Sequence, residues 1–172
     1  IVDDTAFDFD MIIFATGFDA MTGSLLKIDV TGREGIKLAD KWAAGPTTYL
    51  GLGVHGFPNL FMVSGPGSPS VLSNMIVTIE QHVDFIFNCL DFLNTSGFTT
   101  IEAEADAEAA WVAQCNSIAG ETLFPTCNSW YLGANVPGKP RIFMPFVGGF
   151  PLYQTICEEV RTANYKGFRL SS

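Results

Sequence analysis

Basic residues are scarce in this chain: Lys and Arg number 9 against 18 Asp and Glu, for a formal charge of −9, and no stripe of them alternates with aromatics. A chain of that balance repels polyphosphates and anionic lipids, so neither nucleic acid nor a membrane surface is an expected partner. Histidine is limited to His55 and His82, and the four cysteines, Cys89, Cys115, Cys127 and Cys157, form no C-x-x-C and lie near no histidine pair. That disfavours zinc and a dithiol redox centre, and leaves free thiols in a reducing cytosol as the expectation, hence a cytoplasmic protein without a metal. No apolar run approaches the roughly 18 to 20 residues that span a bilayer. The opening IVDDTAFDFD has no basic stretch followed by an apolar one, as a secretory signal would. A starting methionine is missing too. Because Ile1 opens what reads as the run-up to a buried strand, the chain is expected to be a piece of something longer.

What is abundant is apolar surface. Apolar residues make up 48% of 172 residues, mean hydropathy is +0.27, and there are 15 Phe and 3 Trp. The length suits one domain or part of one. Without a membrane to enter, the excess is best used in a core, a ligand pocket or an interface with chain that is not present.

FDMIIFA, Phe9 to Ala15, is a nearly continuous apolar run closed by Thr16-Gly17, which predicts a strand buried on both faces as in a parallel sheet. Residues 19–49 are broken by glycines and read as loop and short strands. NLFMVS, Asn59 to Ser64, is a second buried-strand candidate. The period then changes: Ile76, Ile79, Val83, Ile86, Leu90 and Leu93 recur at steps of three and four, predicting an amphipathic helix. Ser73 or Asn74 would cap its start, and Asn94 with Gly97 would end it. A second helix is expected after Thr100 to Asp106, with Trp111, Cys115 and Ile118 on one face and the acidic run EAEADAE as a solvated face near its positive end. Residues 123–150 are rich in Gly, Pro, Asn and aromatics, a length that marks functional loops. A third helix over 151–163 and a short strand at 168–170 complete the chain.

Two glycine-rich loops compete as cofactor cradles. Gly51, Gly53 and Gly56 match G-x-G-x-x-G, but a dinucleotide fingerprint must run from strand to helix, and GLGVHG runs into the strand-like FPNLFMV. It is read as a decoy. GPGSPS, Gly65 to Ser70, has the required order of strand, loop and helix, and the helix start at Ser73-Asn74-Met75 would offer free N–H groups and a positive dipole end.

Three stretches in this order, DMIIFATGFDA (Asp10 to Ala20), GPGSPSVLSNM (Gly65 to Met75) and SWYLGANVPGKPR (Ser129 to Arg141), together resemble the C-terminal third of type I Baeyer–Villiger monooxygenases of the phenylacetone and steroid monooxygenase branch. TYLGLGVHGFPNLF and VGGFPLYQTICEEV extend the similarity along nearly the whole chain. The resemblance implies an α/β fold, the C-terminal part of an FAD-binding Rossmann-like domain of a two-dinucleotide-binding-domain flavoprotein, with helices and a long Gly/Pro-rich loop. Residues 1–20 would return from the NADP domain to the FAD domain. Residues 21–172 would continue the FAD domain, with a substrate loop at 65–75 and a mobile NADP-contacting loop at 124–150.

The implied activity uses NADPH, O2 and FAD to insert one oxygen beside a ketone carbonyl through a C4a-peroxyflavin, giving an ester or lactone. By the same resemblance Ser70, Val71 and Leu72 line the substrate site, Met75 and Asn74 lie by the flavin, Thr16 and Gly17 belong to the cofactor-binding turn, and Trp130 contacts the NADP ribose. No catalytic residue is expected within this chain. The FAD and NADP fingerprints, the family signature and the arginine and aspartate that support the oxygenated flavin would lie upstream of Ile1, so the isolated chain is expected to be inactive and its first partner to be that missing N-terminal portion.

The residues themselves leave alternatives open. His55 and His82 lack a nucleophilic constellation and read as packed or surface residues, Tyr131 and Phe143 as core. Lys139 and Arg141 could meet a phosphate, although solvation is their ordinary fate. The competing functions are another FAD- and NAD(P)-dependent oxidoreductase that oxygenates nitrogen or sulfur, and a non-catalytic interaction module derived from the same fold.

Overall fold

The structure, a computed structural model, describes residues 4–14, 17–70 and 73–172. Its regular elements are helices α1 (Gly23–Leu26), α2 (Leu38–Lys41), α3 (Met75–Ser96), α4 (Ala105–Gly120) and α5 (Phe150–Thr162), with strands β1 (Thr100–Ala103) and β2 (Phe168–Ser171). Short 3-10 turns occur at Arg33–Gly35, Phe124–Thr126 and Trp130–Leu132.

The ends of α3 are set by local chemistry. The Asn74 side chain accepts from the Ile76 N–H at the start, and Gly97, at φ +73, takes the left-handed conformation that stops the helix. The buried face differs from expectation. Thr78, His82, Phe85, Cys89 and Leu93 are buried, whereas Ile76, Val83, Phe87 and Leu90 stay more than half exposed. Each of Ile79, Val83, Ile86 and Leu90 follows a buried residue by one position, about 100° around the helix. The periodicity was real, but α3 is apolar on two sides, and the polar Thr78 and His82 disguise the side that this chain covers.

α3 packs on α5, and α4 brings Trp111 and Cys115 onto the same core as Leu50, Phe146 and Tyr153. Trp111 stacks on Phe146 with ring centroids 5.2 Å apart. A second cluster holds Leu38, Trp42, Val54, Phe57 and Met62. A third joins Leu132 and Phe143 to Ala119, with Tyr131 packed against it.

Both buried-strand expectations are corrected. The described part of Phe9 to Ala15, residues 9–14, forms no strand, and Met11, Ile12, Ile13 and Phe14 are 67–83% exposed. A buried parallel strand needs a paired neighbour and cover on both faces, and the described residues supply neither. Asn59 to Ser64 is bounded by left-handed residues, Asn59 at φ 58 and Ser64 at φ 59, which prevent a continuous ladder. Only isolated bonds remain, such as Asn59 N–H to the Ile101 carbonyl and Met62 N–H to the Leu52 carbonyl. The sheet that does form is an antiparallel pair, β1 with β2, in the register Ile101 to Leu170 and Glu102 to Arg169.

β1 also corrects the acidic run. EAEADAE is not one solvated helical face, because its first residues belong to a strand, and Glu102 and Glu108 are only 3% and 6% exposed. Among the described residues no helix is long and apolar enough to cross a membrane.

Candidate functional site

The two glycine loops pack on each other. A Cβ at Gly65 would come 2.5 Å from the Gly51 carbonyl oxygen, and one at Gly51 would come 2.6 Å from Ser68 Cβ. Close backbone approach therefore accounts for glycine at both positions. The amides of GLGVHG are already engaged by carboxylates: Gly56 N–H donates to Glu102 at 3.0 Å and His55 N–H to Glu108 at 3.3 Å. Glu102 also accepts from Arg33 at 2.6 Å and Arg169 at 2.8 Å, and Glu108 from Lys41 at 2.8 Å. Burial alone would raise the Glu102 pKa, but the bonds from Arg33, Arg169 and the Gly56 amide outweigh it and hold the carboxyl below its ordinary value. Two carboxylates at those amides leave no place for a phosphate. His55 Nδ1 is 3.0 Å from the Ala103 carbonyl, to which it donates in the matching tautomer.

The second loop is wired differently. Gly67, at φ +84, donates its N–H to the Met144 carbonyl at 2.7 Å, and its own carbonyl accepts from Trp111 Nε1 at 3.1 Å. Phe146 N–H donates to the Ser68 carbonyl, and Met144 N–H donates to the Tyr131 carbonyl. A run of backbone bonds thus joins Gly65 to Ser70 through residues 144–146 to the turn that carries Trp130. That turn reaches the third stretch, since Asn135 Nδ2 donates to the Phe18 carbonyl at 2.7 Å and Lys139 pairs with Asp19. Three segments distant in sequence are therefore tied into one connected region.

The candidate residues distribute around it. Gly17, at φ +76, lies with its Cβ position 3.8 Å from Asn135 Nδ2. Trp130 is 42% exposed and packs its ring on Tyr131 with centroids 3.9 Å apart. Ser70 keeps a buried Oγ that has no hydrogen-bond partner among the described residues. Met75 is 37% exposed, and the Asn74 side chain is occupied as the helix cap. No hydrogen bond between described residues links Asn74 or Met75 to the Trp130 turn. Thr16, Val71 and Leu72 lie outside the described residues. Lys139 and Arg141 are not free cations: Lys139 is engaged by Asp19 and Thr22, and Arg141 donates to the Gly133 carbonyl at 2.6 Å.

Beneath the second loop lies a buried relay that spacing did not reveal as one. His82 Nδ1 accepts from the Ser64 N–H at 3.0 Å, so Nε2 carries the proton and donates to Tyr153 Oη at 2.8 Å. Tyr153 in turn donates to the Leu50 carbonyl at 2.6 Å. Burial pushes the His82 pKa down to about 4, and keeps the ring neutral. The relay is a support beneath the loop and brings no nucleophile to the surface.

Cysteine chemistry is equally quiet. Burial pushes the Cys89 and Cys115 thiols up to about 12 and Cys157 up to about 11, while Cys127 is exposed. Treating the native protein with a maleimide and mapping the products by mass spectrometry should therefore find Cys127 labelled within this chain and the other three protected. Rapid native labelling of Cys89, Cys115 or Cys157 would contradict the packing. Among the described residues no group of acidic, His and Cys side chains could hold a metal ion.

No family model matches the chain. Curated and solved proteins do. The chain is 44% identical over 172 residues to an acetone monooxygenase (methyl acetate-forming) of Gordonia sp. strain TY-5, a match covering 99% of this chain and 32% of that protein. It is 39% identical to a Baeyer–Villiger monooxygenase of Pseudooceanicola batsensis, over 92% of this chain and 29% of that protein. The structure of an oxidized steroid monooxygenase bound to NADP superposes with a TM-score of 0.87 at 50% identity, covering 99% of this chain and 32% of the other. In sequence and in fold the chain is homologous to Baeyer–Villiger and related flavin monooxygenases along essentially its whole length, and it spans about a third of the length of each relative it matches.

Proposed function

We propose that this chain is the part of an FAD- and NADPH-dependent Baeyer–Villiger monooxygenase that lines the ketone site and holds NADP, with the flavin fingerprint supplied by the remainder of the enzyme. The observation that carries the reading is the hydrogen-bonded connection of the Gly17 to Thr22, Gly65 to Ser70 and Trp130 to Arg141 segments, which overlap the three stretches that carry the family resemblance. Backbone bonds join the second and third of these segments, and the Asn135 and Lys139 side chains tie the first to them across more than a hundred positions.

The residues fit both cofactors. An exposed apolar first turn on α3, with Met75, Ile76 and Val77 at 37–64% exposure, suits the face of a planar ring system, and the helix dipole favours negative charge there. The buried Ser70 Oγ, unpaired among the described residues, suits a bond to substrate, with Val71 and Leu72 beside it in sequence. Trp130 offers an indole N–H and a half-exposed ring for the NADP ribose. When bound, FAD supplies the oxygen activation and NADPH the reducing equivalents. This chain's part is to hold the ketone and NADP and to keep water from the reacting atoms.

The uncovered apolar surfaces support a partner domain. Ile12, Ile13 and Phe14, together with the Val83, Phe87 and Leu90 side of α3, are a costly surface to leave in water and a natural one to bury against the FAD- and NADP-binding remainder, residues 1–20 serving as the connection. Buried thiols with an exposed free Cys127 fit a reducing, cytoplasmic setting.

The test is the reaction of the complete flavoenzyme with NADPH, O2 and a panel of linear and cyclic ketones. Ester or lactone should form in step with NADPH consumption. Oxygenation of amines or sulfides with no ketone converted would replace this reading by the nitrogen- or sulfur-oxygenating alternative. A complete enzyme that binds no flavin would favour the interaction module.

A further inference from the structure

Lys139 is an unusual loop lysine. Its side chain is only 13% exposed, and its ammonium donates to Asp19 and, at 2.6 Å, to Thr22 Oγ1. Asp19 is 29% exposed at the side chain, and Thr22, whose hydroxyl also reaches Asp19 at 3.4 Å, is 1% exposed. The lysine stem crosses Gly133, where a Cβ would come 2.9 Å from Lys139 Cδ, and Gly133 directly follows the turn that holds Trp130. Arg141 closes the neck of the same loop on the Gly133 carbonyl, and Asn135 adds its bond to Phe18. Asp19, Thr22 and Lys139 themselves line a 320 Å³ cavity whose other walls include the apolar Trp42, Ile142 and Met144. An ion pair fixed in this way differs from a solvated surface pair, which contributes little.

We propose that Asp19 and Lys139 form a latch that positions the Trp130 loop, so that NADP retention depends on an ion pair between that loop and the Phe18 to Thr22 turn. The inference rests on the reading of Trp130 as an NADP contact. Both residues act through the loop and touch no cofactor. Opening the latch loosens residues 133–141 from the Phe18 to Thr22 turn and removes the support that Lys139 gives Gly133, the residue that ends the turn holding Trp130. The rival role for Lys139 is that of a direct phosphate ligand, and the two roles make opposite demands on Asp19. A phosphate-binding lysine is released by loss of its carboxylate partner, whereas a latch is broken by it.

The experiment compares Asp19→Ala, Lys139→Met, the double variant and Trp130→Ala in the complete flavoenzyme, reading NADP Kd, melting temperature and, without NADP, the rate of tryptic cleavage after Arg141. As a latch, each single variant raises both the Kd and the cleavage rate by about five- to tenfold, and the double variant is no worse than either. Lys139→Met weakening NADP while Asp19→Ala leaves the Kd unchanged or tightens it would overturn the latch in favour of phosphate contact. A Kd unchanged in both single variants would overturn it outright. Trp130→Ala separates the two levels: if it weakens NADP while the latch variants do nothing, only the latch fails. If it leaves NADP affinity unaltered, the reading beneath the latch fails as well.

Discussion

Replacing Trp111 by Ala should cost ~3 to 5 kcal/mol of stability, whereas replacing Trp130 by Ala should cost about 1 kcal/mol or less and weaken NADP instead. The two indoles differ in what surrounds them. Trp111 is 3% exposed, stacks on Phe146, lies with its ring centroid 6.1 Å from that of Tyr153, and donates its N–H to Gly67. Truncation leaves a cavity beneath the glycine-proline loop and a Gly67 carbonyl whose remaining side-chain donor is the weak Cys115 thiol at 4.0 Å, and both terms act in the same direction. Trp130 is 42% exposed and rests on Tyr131, so its loss opens little volume. As a ribose contact it contributes one hydrogen bond and a packed ring, ~1 to 3 kcal/mol, or roughly a 5- to 150-fold rise in NADP Kd. Urea denaturation and NADP titration of both variants of the complete enzyme decide the matter. Equal stability losses, or unaltered NADP affinity in the Trp130 variant, would reject its assignment to the cofactor.

The legible parts of the fold were those set by local chemistry. Asn74 and Gly97 bound α3 because a cap and a left-handed stop are properties of single residues. α4, α5 and β2 likewise fall close to where period, the helix-opening proline and the alternating Phe168-Arg169-Leu170 put them. What spacing could not resolve depended on distant partners. Residues 9–14 have the composition of a buried strand and no neighbour among the described residues to pair with, so composition and conformation part company there. The acidic run was misjudged for a related reason: Glu102 meets Arg33, 69 positions away, and Arg169, 67 positions away, and no local pattern announces either. The candidate site was legible chiefly through the family resemblance. The residues missed, Asp19, Thr22 and Tyr153, act by contacts more than 70 positions away, and Glu102 reaches the first loop through Gly56, 46 positions away.

The connection between α3 and α5 gives the protein a particular response to acid. Protonating His82 would place a charge in a site with 0% exposure and destroy the Nδ1 lone pair that receives the Ser64 N–H. The ring accordingly has a folded pKa near 4, against 6.5 in an unfolded chain. The unfolded state takes up the proton first, so unfolding becomes easier as pH falls. The contribution is fully present above pH 6.5 and is lost as pH drops toward 4, by ~3 kcal/mol in all. Glu102 works in the same direction in a lower window, because its carboxyl is held below 4.5 and loses its share only as pH falls through that depressed value. The two contributions are therefore separable along the pH axis. Urea midpoints measured between pH 7 and pH 4.5 should fall steadily in the native protein. In His82→Gln that slope should flatten, with a loss of ~1 to 3 kcal/mol at pH 7 from the Ser64 and Tyr153 groups left without a well-placed partner. A wild-type midpoint that stays level from pH 6.5 to pH 4.5 would show that His82 does not carry the acid response. A slope retained in His82→Gln would assign it to another group.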